Sequence, residues 1–499
     1  MTDPQGEGQL RAPATPEPAR RGDRTAWHSF AWAGLSFGTT KLAVFVSTLV
    51  LARILVPEDF GVVAAAMTVV ALFEIGLDLG VGSALIHDQE QGITNRVQTA
   101  FTLNLAVAAL LTGVFVAVAP AVAAYFRIPE QVDVFRAIAF FLLIRGLGQV
   151  HDAVLRRDLD FRRRTRAEIA RALTRFAVSV PLALLGHGVW ALVWGLLAAE
   201  VAGTVVNWLL VRFRPRLTID RTAVRTLLHF GLAVVGVQAL SVVSSNADYL
   251  AVGRLLGPDD LGQYTIAYRL PELLIDNVYW IFSSIALPWY SRARTESADS
   301  FKDTMLRALT LLTLFGFPMG TALALVARDA VPAFFSEQWL PAVGPMVLLS
   351  LSAGIAAIGF ASGDIFPALG RPGLLLRLDV VVATVEIAAY FLLARHGILV
   401  VAAVNLSVLA VYMLVRVFIA NRLVGATLGE SARAVLPAVS VSVGMAACGV
   451  PVLLLVEPGI ASLAAVIGAG AVGALAGAAL GGRAVIADLV RTVVAARAR

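Results

Sequence analysis

Ionisable residues stand inside long apolar stretches of this sequence, where a charge costs about 2.5–3.5 kcal/mol at the centre of a membrane helix and marks a functional suspect. The basic ones include Lys41, Arg145, Arg171, Arg175 and Arg269, with Arg136 and Arg416 as weaker candidates. Arg171 and Arg175 are four apart, which places both on one helix face. Guanidinium forks fit phosphate oxygens and make charge-assisted hydrogen bonds to them. The acidic ones include Glu74 with Asp78 and Glu272 with Asp276, two pairs with the same spacing. A carboxylate pair in such a place can share a proton or hold Na⁺ and so couple to an ion gradient. Asp364 precedes Pro367 and Gly370, where a helix is expected to loosen. A plainer reading stays open for all of them. Arg171 and Arg175 pair with Glu168 or Glu200, the acids pair with Lys41 or Arg269, or the long basic chains reach for the membrane surface.

Helices must carry these residues. Of 499 residues, 58% are hydrophobic and 15% charged, against about 25% charged in a soluble domain. Mean hydropathy is +0.80. Apolar runs of about 20 residues recur from residue 29 to residue 481, each long enough to cross about 30 Å of hydrocarbon. Within hydrocarbon a helix satisfies its own backbone and an open sheet does not. The runs predict helices near 29–51, 60–82, 99–119, 134–153, 166–186, 189–211, 227–251, 262–288, 304–326, 342–366, 374–394, 398–420, 433–456 and 460–481. The expected fold is therefore an all-α polytopic membrane protein of about fourteen transmembrane helices.

Charge orients them. A pI near 9.8 would suit a nucleic-acid binder, but no soluble basic domain exists to bind one. The arginines gather instead in alternate connections. With the N-terminus inside, 28 basic residues fall on inside segments and five (Arg53, Arg127, Arg254, Arg328 and Arg395) on outside ones. Both termini are expected to be cytoplasmic. Residues 1–26 read as a disordered cytoplasmic tail and 483–499 as a second tail.

The chain repeats itself. ARILVPEDFG at 52–61 aligns without a gap with GRLLGPDDLG at 253–262, offset by 201, each at the end of the first helix of a half. His187-Gly188-Val189 echoes His396-Gly397-Ile398 at an offset of 209. Six helices per half is an even number, so the halves enter the membrane in the same direction, with a site expected between them. The expected division is an N-lobe at 27–215, a C-lobe at 216–425 and a helix pair at 426–482.

LARILVPEDFGVVAAAMTVVALFEIGLDLGVGSALI at 51–86 resembles the polysaccharide flippases of bacterial O-antigen, colanic-acid and teichuronic-acid export, and so does the stretch from Asp248-Tyr249 through GRLLGPDDLGQYTIAYRLPELL to Leu274. The resemblance covers residues 28–480. Their wider superfamily contains lipid II flippases and multidrug-exporting cation antiporters. The resemblance implies two parallel six-helix lobes around a central cavity in the bacterial inner membrane. It also implies translocation of a polyprenyl-diphosphate-linked oligosaccharide by alternating access, beside a polysaccharide polymerase and chain-length proteins. On that reading Lys41, Arg145, Arg171, Arg175 and Arg269 hold the diphosphate and sugar, and Glu74, Asp78, Glu272, Asp276 and Asp364 couple an ion. A cation antiporter on the same plan is the alternative.

No enzyme motif competes. Gly468-Ala469-Gly470-Ala471-Val472-Gly473 matches a dinucleotide fingerprint but lies in an apolar run with no preceding strand. The histidines lack metal-ligand spacing, Cys448 is the sole cysteine, and no phosphate-binding loop for ATP occurs. No cofactor, metal or catalytic residue is expected.

Overall fold

A computed structural model describes residues 44–77, 93–157, 161–211, 213–218, 220 and 238–481, and among them all regular structure is helical. The helices are α1 (Val44–Ile54), α2 (Pro57–Leu77), α3 (Ile93–Tyr125), α4 (Val132–Arg157), α5 (Phe161–Leu184) and α6 (Val189–Leu210). Then come α7 (Ala247–Leu255, after a helical stretch at 238–245), α8 (Pro258–Pro271), α9 (Asn277–Glu296), α10 (Ala298–Ala330), α11 (Val343–Gly363) and the short α12 (Ile365–Ala368). The series ends with α13 (Pro372–Leu393), α14 (Ile398–Val424), α15 (Leu428–Leu455) and α16 (Ile460–Gly481). The tails at 1–26 and 483–499 lie outside the described residues.

Nine helices among the described residues are long and apolar enough to cross a membrane. Among the other helices, α5 carries Glu168, Arg171 and Arg175 in its apolar part and α13 carries Arg377, Asp379 and Glu386, while α1 and α7 are short. Several helices outrun their apolar stretches. α5 begins at Phe161, so Arg162, Arg163, Arg164 and Arg166, expected in a loop or at its edge, lie in helix. Arginine is a good helix former, so nothing stops the helix at the edge of the apolar run.

In the N-lobe α4 is the central rod. Its carbonyls at Ala139, Ile144, Gly146 and Leu147 accept hydrogen bonds from Thr112 and Asn104 on α3 and from Thr204 and Trp208 on α6, at 2.8–3.3 Å. Small residues let these backbones approach, as in membrane helix packing generally. A Cβ on Gly148 would sit 2.7 Å from the Thr204 hydroxyl. The C-lobe uses the same device between α10 and α11, where a Cβ on Gly316 would lie 2.9 Å from the Gly354 carbonyl oxygen.

α15 and α16 pack on α10. Arg328 at the end of α10 donates to the Leu453 and Val456 carbonyls, and Ser462 on α16 donates to buried Asp329 at 2.8 Å. Lys302 meets Glu430 at 3.3 Å near the opposite ends of these helices.

α2 crosses α8, and the two begin at the same end of the bundle. A Cβ on Gly61 would overlap the Pro258 carbonyl, and one on Gly262 would overlap the Pro57 carbonyl. This reciprocal contact between the two motif copies is what a two-fold axis between them produces. Related first turns that touch cannot lie at opposite ends of the bundle, so the halves run parallel.

Candidate functional site

Two cavities lie between the halves. The first, about 420 Å³, is lined on the N-lobe side by Glu74, Arg145, Gln149, Asp152, Arg156, Arg164, Glu168, Arg171 and Glu200. Gln238, Ser241, Ser245 and Asn246 face them from the stretch leading into α7. The second, about 290 Å³, lies nearer the motif end. Its polar groups are Thr48, Thr68, Arg175, Asn246, Tyr249, Thr265 and Arg269, among apolar residues such as Leu51, Phe60 and Val63. Asn246 lines both cavities, at the turn that interrupts the helix before Ala247.

Local sequence sets the first cavity's geometry. On α6, Gly195 and Gly203 face α5, and a Cβ on Gly203 would sit 2.6 Å from Cγ and Cζ of Arg171. The missing side chain is the space Arg171 occupies. One turn earlier, buried Glu200 accepts from Arg171 Nε at 3.2 Å and lies 3.7 Å from Arg145. Glu168 holds Arg171 Nη1 at 2.9 Å, and Glu74 holds Arg145 Nε at 2.6 Å. Nearer the Arg-rich end, Asp152 meets Arg156 at 2.8 Å and Arg164 at 3.4 Å. Four arginines are thus interleaved with four carboxylates, a polar lining whose charges balance.

The second cavity is different. Arg175 and Arg269 both line it, and among the described residues no carboxylate does. Arg269 is tied at 3.3 Å to Glu272, which lies outside the lining. Arg175 has no ion-pair partner among the described residues. Glu168, a partner weighed for Arg175, is taken by Arg171 instead.

The remaining candidates are spread out. Lys41 and Asp78 lie outside the described residues. Glu272 and Asp276 bound a π-helical turn joining α8 to α9, just after Pro271, whose missing N–H breaks the regular ladder. Asp364 stands between α11 and α12, where the Ser283 hydroxyl donates to it at 3.1 Å. Neither lines the two cavities. Arg136 pairs with Asp133 at 3.1 Å. Arg416 stacks 5.5 Å over Tyr412 and fills the notch left by Gly363.

One polar cluster escaped the sequence reading. In the C-lobe, Tyr264 donates to buried Asp248 at 3.1 Å, and Asn405 donates to Tyr268 at 3.2 Å and Tyr390 at 3.0 Å. Tyr390 donates to Glu386 at 2.8 Å, and Ser352 to Asn405 at 2.5 Å. Five helices meet in this network. Its one signal in sequence was the polarity of residues such as Asn405 within apolar runs.

The chain is similar to known proteins along much of its length. It is 28% identical to the succinoglycan biosynthesis transport protein ExoT of Rhizobium meliloti, over 66% of this chain and 67% of that protein. It is 23% identical to the teichuronic acid biosynthesis protein TuaB of Bacillus subtilis, over 61% of this chain and 63% of that protein. The aligned region thus spans about two thirds of each relative. Among solved structures, the lipid II flippase MurJ in an inward closed conformation matches with a TM-score of 0.75 at 12% identity, over 91% of this chain and all of that one. An inward-facing MATE multidrug transporter matches at 0.63 and 17% identity. These likenesses show the fold, an all-α polytopic membrane architecture. The family model for polysaccharide biosynthesis proteins matches residues 50–344, and the chain is a multi-pass membrane protein that belongs to that family.

Proposed function

We propose that this protein is a flippase that carries polyprenyl-diphosphate-linked oligosaccharides across the bacterial cytoplasmic membrane during cell-surface polysaccharide biosynthesis. The end bearing Pro57 and Pro258 faces outward, and the Arg-rich end and both termini face the cytoplasm. The problem such a protein solves is physical. A sugar head carries many hydroxyls, each costing several kcal/mol unpaired in hydrocarbon, and the diphosphate adds charge. The two cavities supply a polar path for the head while the tail stays in lipid. The first offers donors and acceptors in balance, suited to sugar hydroxyls.

The observation that carries the reading is the second cavity, which Arg175 and Arg269 both line with no carboxylate among the described residues. Two guanidinium groups there suit a diphosphate. A cationic drug would need free carboxylates, and the acids lining the first cavity are already bound to arginine. Rocking of one lobe against the other moves the head across, with no covalent step. Arg145 and Arg171, in the first cavity, lie on the same path.

Replacing Arg175 with Gln tests this. Loss of a charge-assisted hydrogen bond predicts about a tenfold fall in export, with lipid-linked oligosaccharide accumulating on the cytoplasmic side and protein abundance unchanged. Arg175→Lys keeps the point charge and retains part of the activity. Normal export in Arg175→Gln at normal abundance would remove the diphosphate role from this residue.

A further inference from the structure

The repeated motif touches the opposite lobe through more than its glycines. Arg53, at the end of α1, donates from Nε to the Phe334 carbonyl at 2.9 Å and from Nη2 to the Ala333 carbonyl. Its repeat mate Arg254 donates from Nη1 to the Tyr125 carbonyl at 3.0 Å. Tyr125 is the last residue of α3, and Phe334 lies in the π-helical turn that ends α10. The offset from Tyr125 to Phe334 is 209, the same as between the two His-Gly echoes. Each arginine therefore crosses to the other half and caps equivalent helix ends, where carbonyls lack helical partners and the dipole favours a cation.

A second observation falls on the same places. Among the described residues the two non-glycine residues with positive φ are Arg127 (63°) and Ser336 (115°). They too are 209 apart, each just beyond a capped helix end. Such conformations are strained for residues other than glycine and persist where the surroundings impose them, often at switching segments. Around this frame the Trp339 ring nitrogen donates to the Ala52 carbonyl at 2.8 Å, and Phe126 packs where Gly253 has no side chain.

We propose that the two copies of the Arg-x₃-Pro-x₃-Gly motif form the outer gate of the transport path. Arg53 and Arg254 latch each lobe to the third helix of the other, and Gly61 and Gly262 close the seam between α2 and α8. Outward opening requires both latches to release together, since each is the symmetry mate of the other. Glycine at 61 and 262 is required by backbone contact, and arginine at 53 and 254 reaches a carbonyl across the lobes without fixing it covalently. The inference rests on the alternating-access reading and does not depend on which substrate is carried.

The test uses a Cys448→Ala background with Ser245→Cys as a reporter in the first cavity, labelled in intact cells with a membrane-impermeant maleimide. With the gate closed, labelling from outside is slow. Arg53→Gln and Arg254→Gln are each expected to raise its rate about threefold, a modest figure because these side chains are partly solvated, and the double variant more. Arg53→Lys and Arg254→Lys, which keep a cationic donor at the same place, are expected to fall between. Abundance and monodispersity in detergent are measured for each variant. A labelling rate unchanged across the Gln and Lys variants at parental abundance overturns the gate, as does a rise confined to one arginine of the pair. If labelling behaves as expected but no lipid-linked oligosaccharide accumulates when the gene is deleted, the gate stands and the substrate assignment fails.

Discussion

Glu200 shows how little of a site a residue's own identity conveys. In sequence it was a possible partner for Arg171 or Arg175, an acid in an apolar run. In the structure it is buried on α6 and holds Arg171 while approaching Arg145, so it sets the spacing of two cavity arginines. Removing its charge leaves Arg171 with Glu168 and Arg145 with Glu74, so the loss is smaller than that of an isolated buried pair. Glu200→Gln is expected to cost about 1–3 kcal/mol and lower the melting temperature in detergent. Glu200→Asp is expected to recover less than the full loss, because the shorter chain reaches one arginine. Gly203→Ala tests the same geometry from the other side, since the added methyl occupies the place of the Arg171 side chain. It is expected to lower export with a smaller change in melting temperature than Glu200→Gln. A Gly203→Ala protein with parental export would show that Arg171 need not lie where it does. The pairing of Arg171 with Glu168 and Glu200 was one of the readings open in sequence and is the one the structure shows. The second contact of Glu200 with Arg145 and the space at Gly203 were not legible, because they depend on how α4, α5 and α6 pack.

At the scale of elements, order and type were legible and the ends were not. Apolar length located the helices, but α3 and α10 both run to 33 residues, far past their apolar cores. The break at Asp364 was legible because Pro367 and Gly370 announce it. The π-helical turn at Glu272–Asp276 was not, since Pro271 marks an interruption without specifying its form. Asn405 is the sharpest case. It is one polar residue in the apolar run at 398–420, yet its amide joins α14 to α8, α11 and α13 through Tyr268, Ser352 and Tyr390. Asn405→Leu strands three polar groups in the lobe interior, at about 1–3 kcal/mol for each group left unsatisfied. The expected result is a large fall in melting temperature with the N-lobe arginine cavity intact. A thermal-shift measurement showing no change would mean that water or a rearranged tyrosine replaces the amide.

At the scale of the whole molecule, the duplication was the most informative signal in the sequence. The offset of 201 located equivalent positions before any contact was known, and they meet in space where Gly61 touches Pro258 and Gly262 touches Pro57. The matching partners of Arg53 and Arg254, at Phe334 and Tyr125, became visible only in the structure. Local sequence identity thus carried three-dimensional information because the halves pack about a common axis. The sign of the membrane orientation rests instead on arginine distribution, which is independent of the fold. The two arguments meet at one testable point. Both motif copies begin helices at the same end of the bundle, so both must face the same side, which is the exterior in the orientation proposed from the arginine asymmetry. In a Cys448→Ala background, a cysteine at Asp259, exposed in the first turn of α8, is expected to react with an impermeant thiol reagent in intact cells. One at Glu58, its counterpart in the first turn of α2, is expected to react as well. One at Arg162, exposed in the first turn of α5, is expected to react only after the membrane is permeabilised. Reversal of all three would invert the orientation and leave the fold standing. Labelling of Asp259 and Glu58 from opposite sides would contradict the parallel arrangement of the halves, and with it the gate they form.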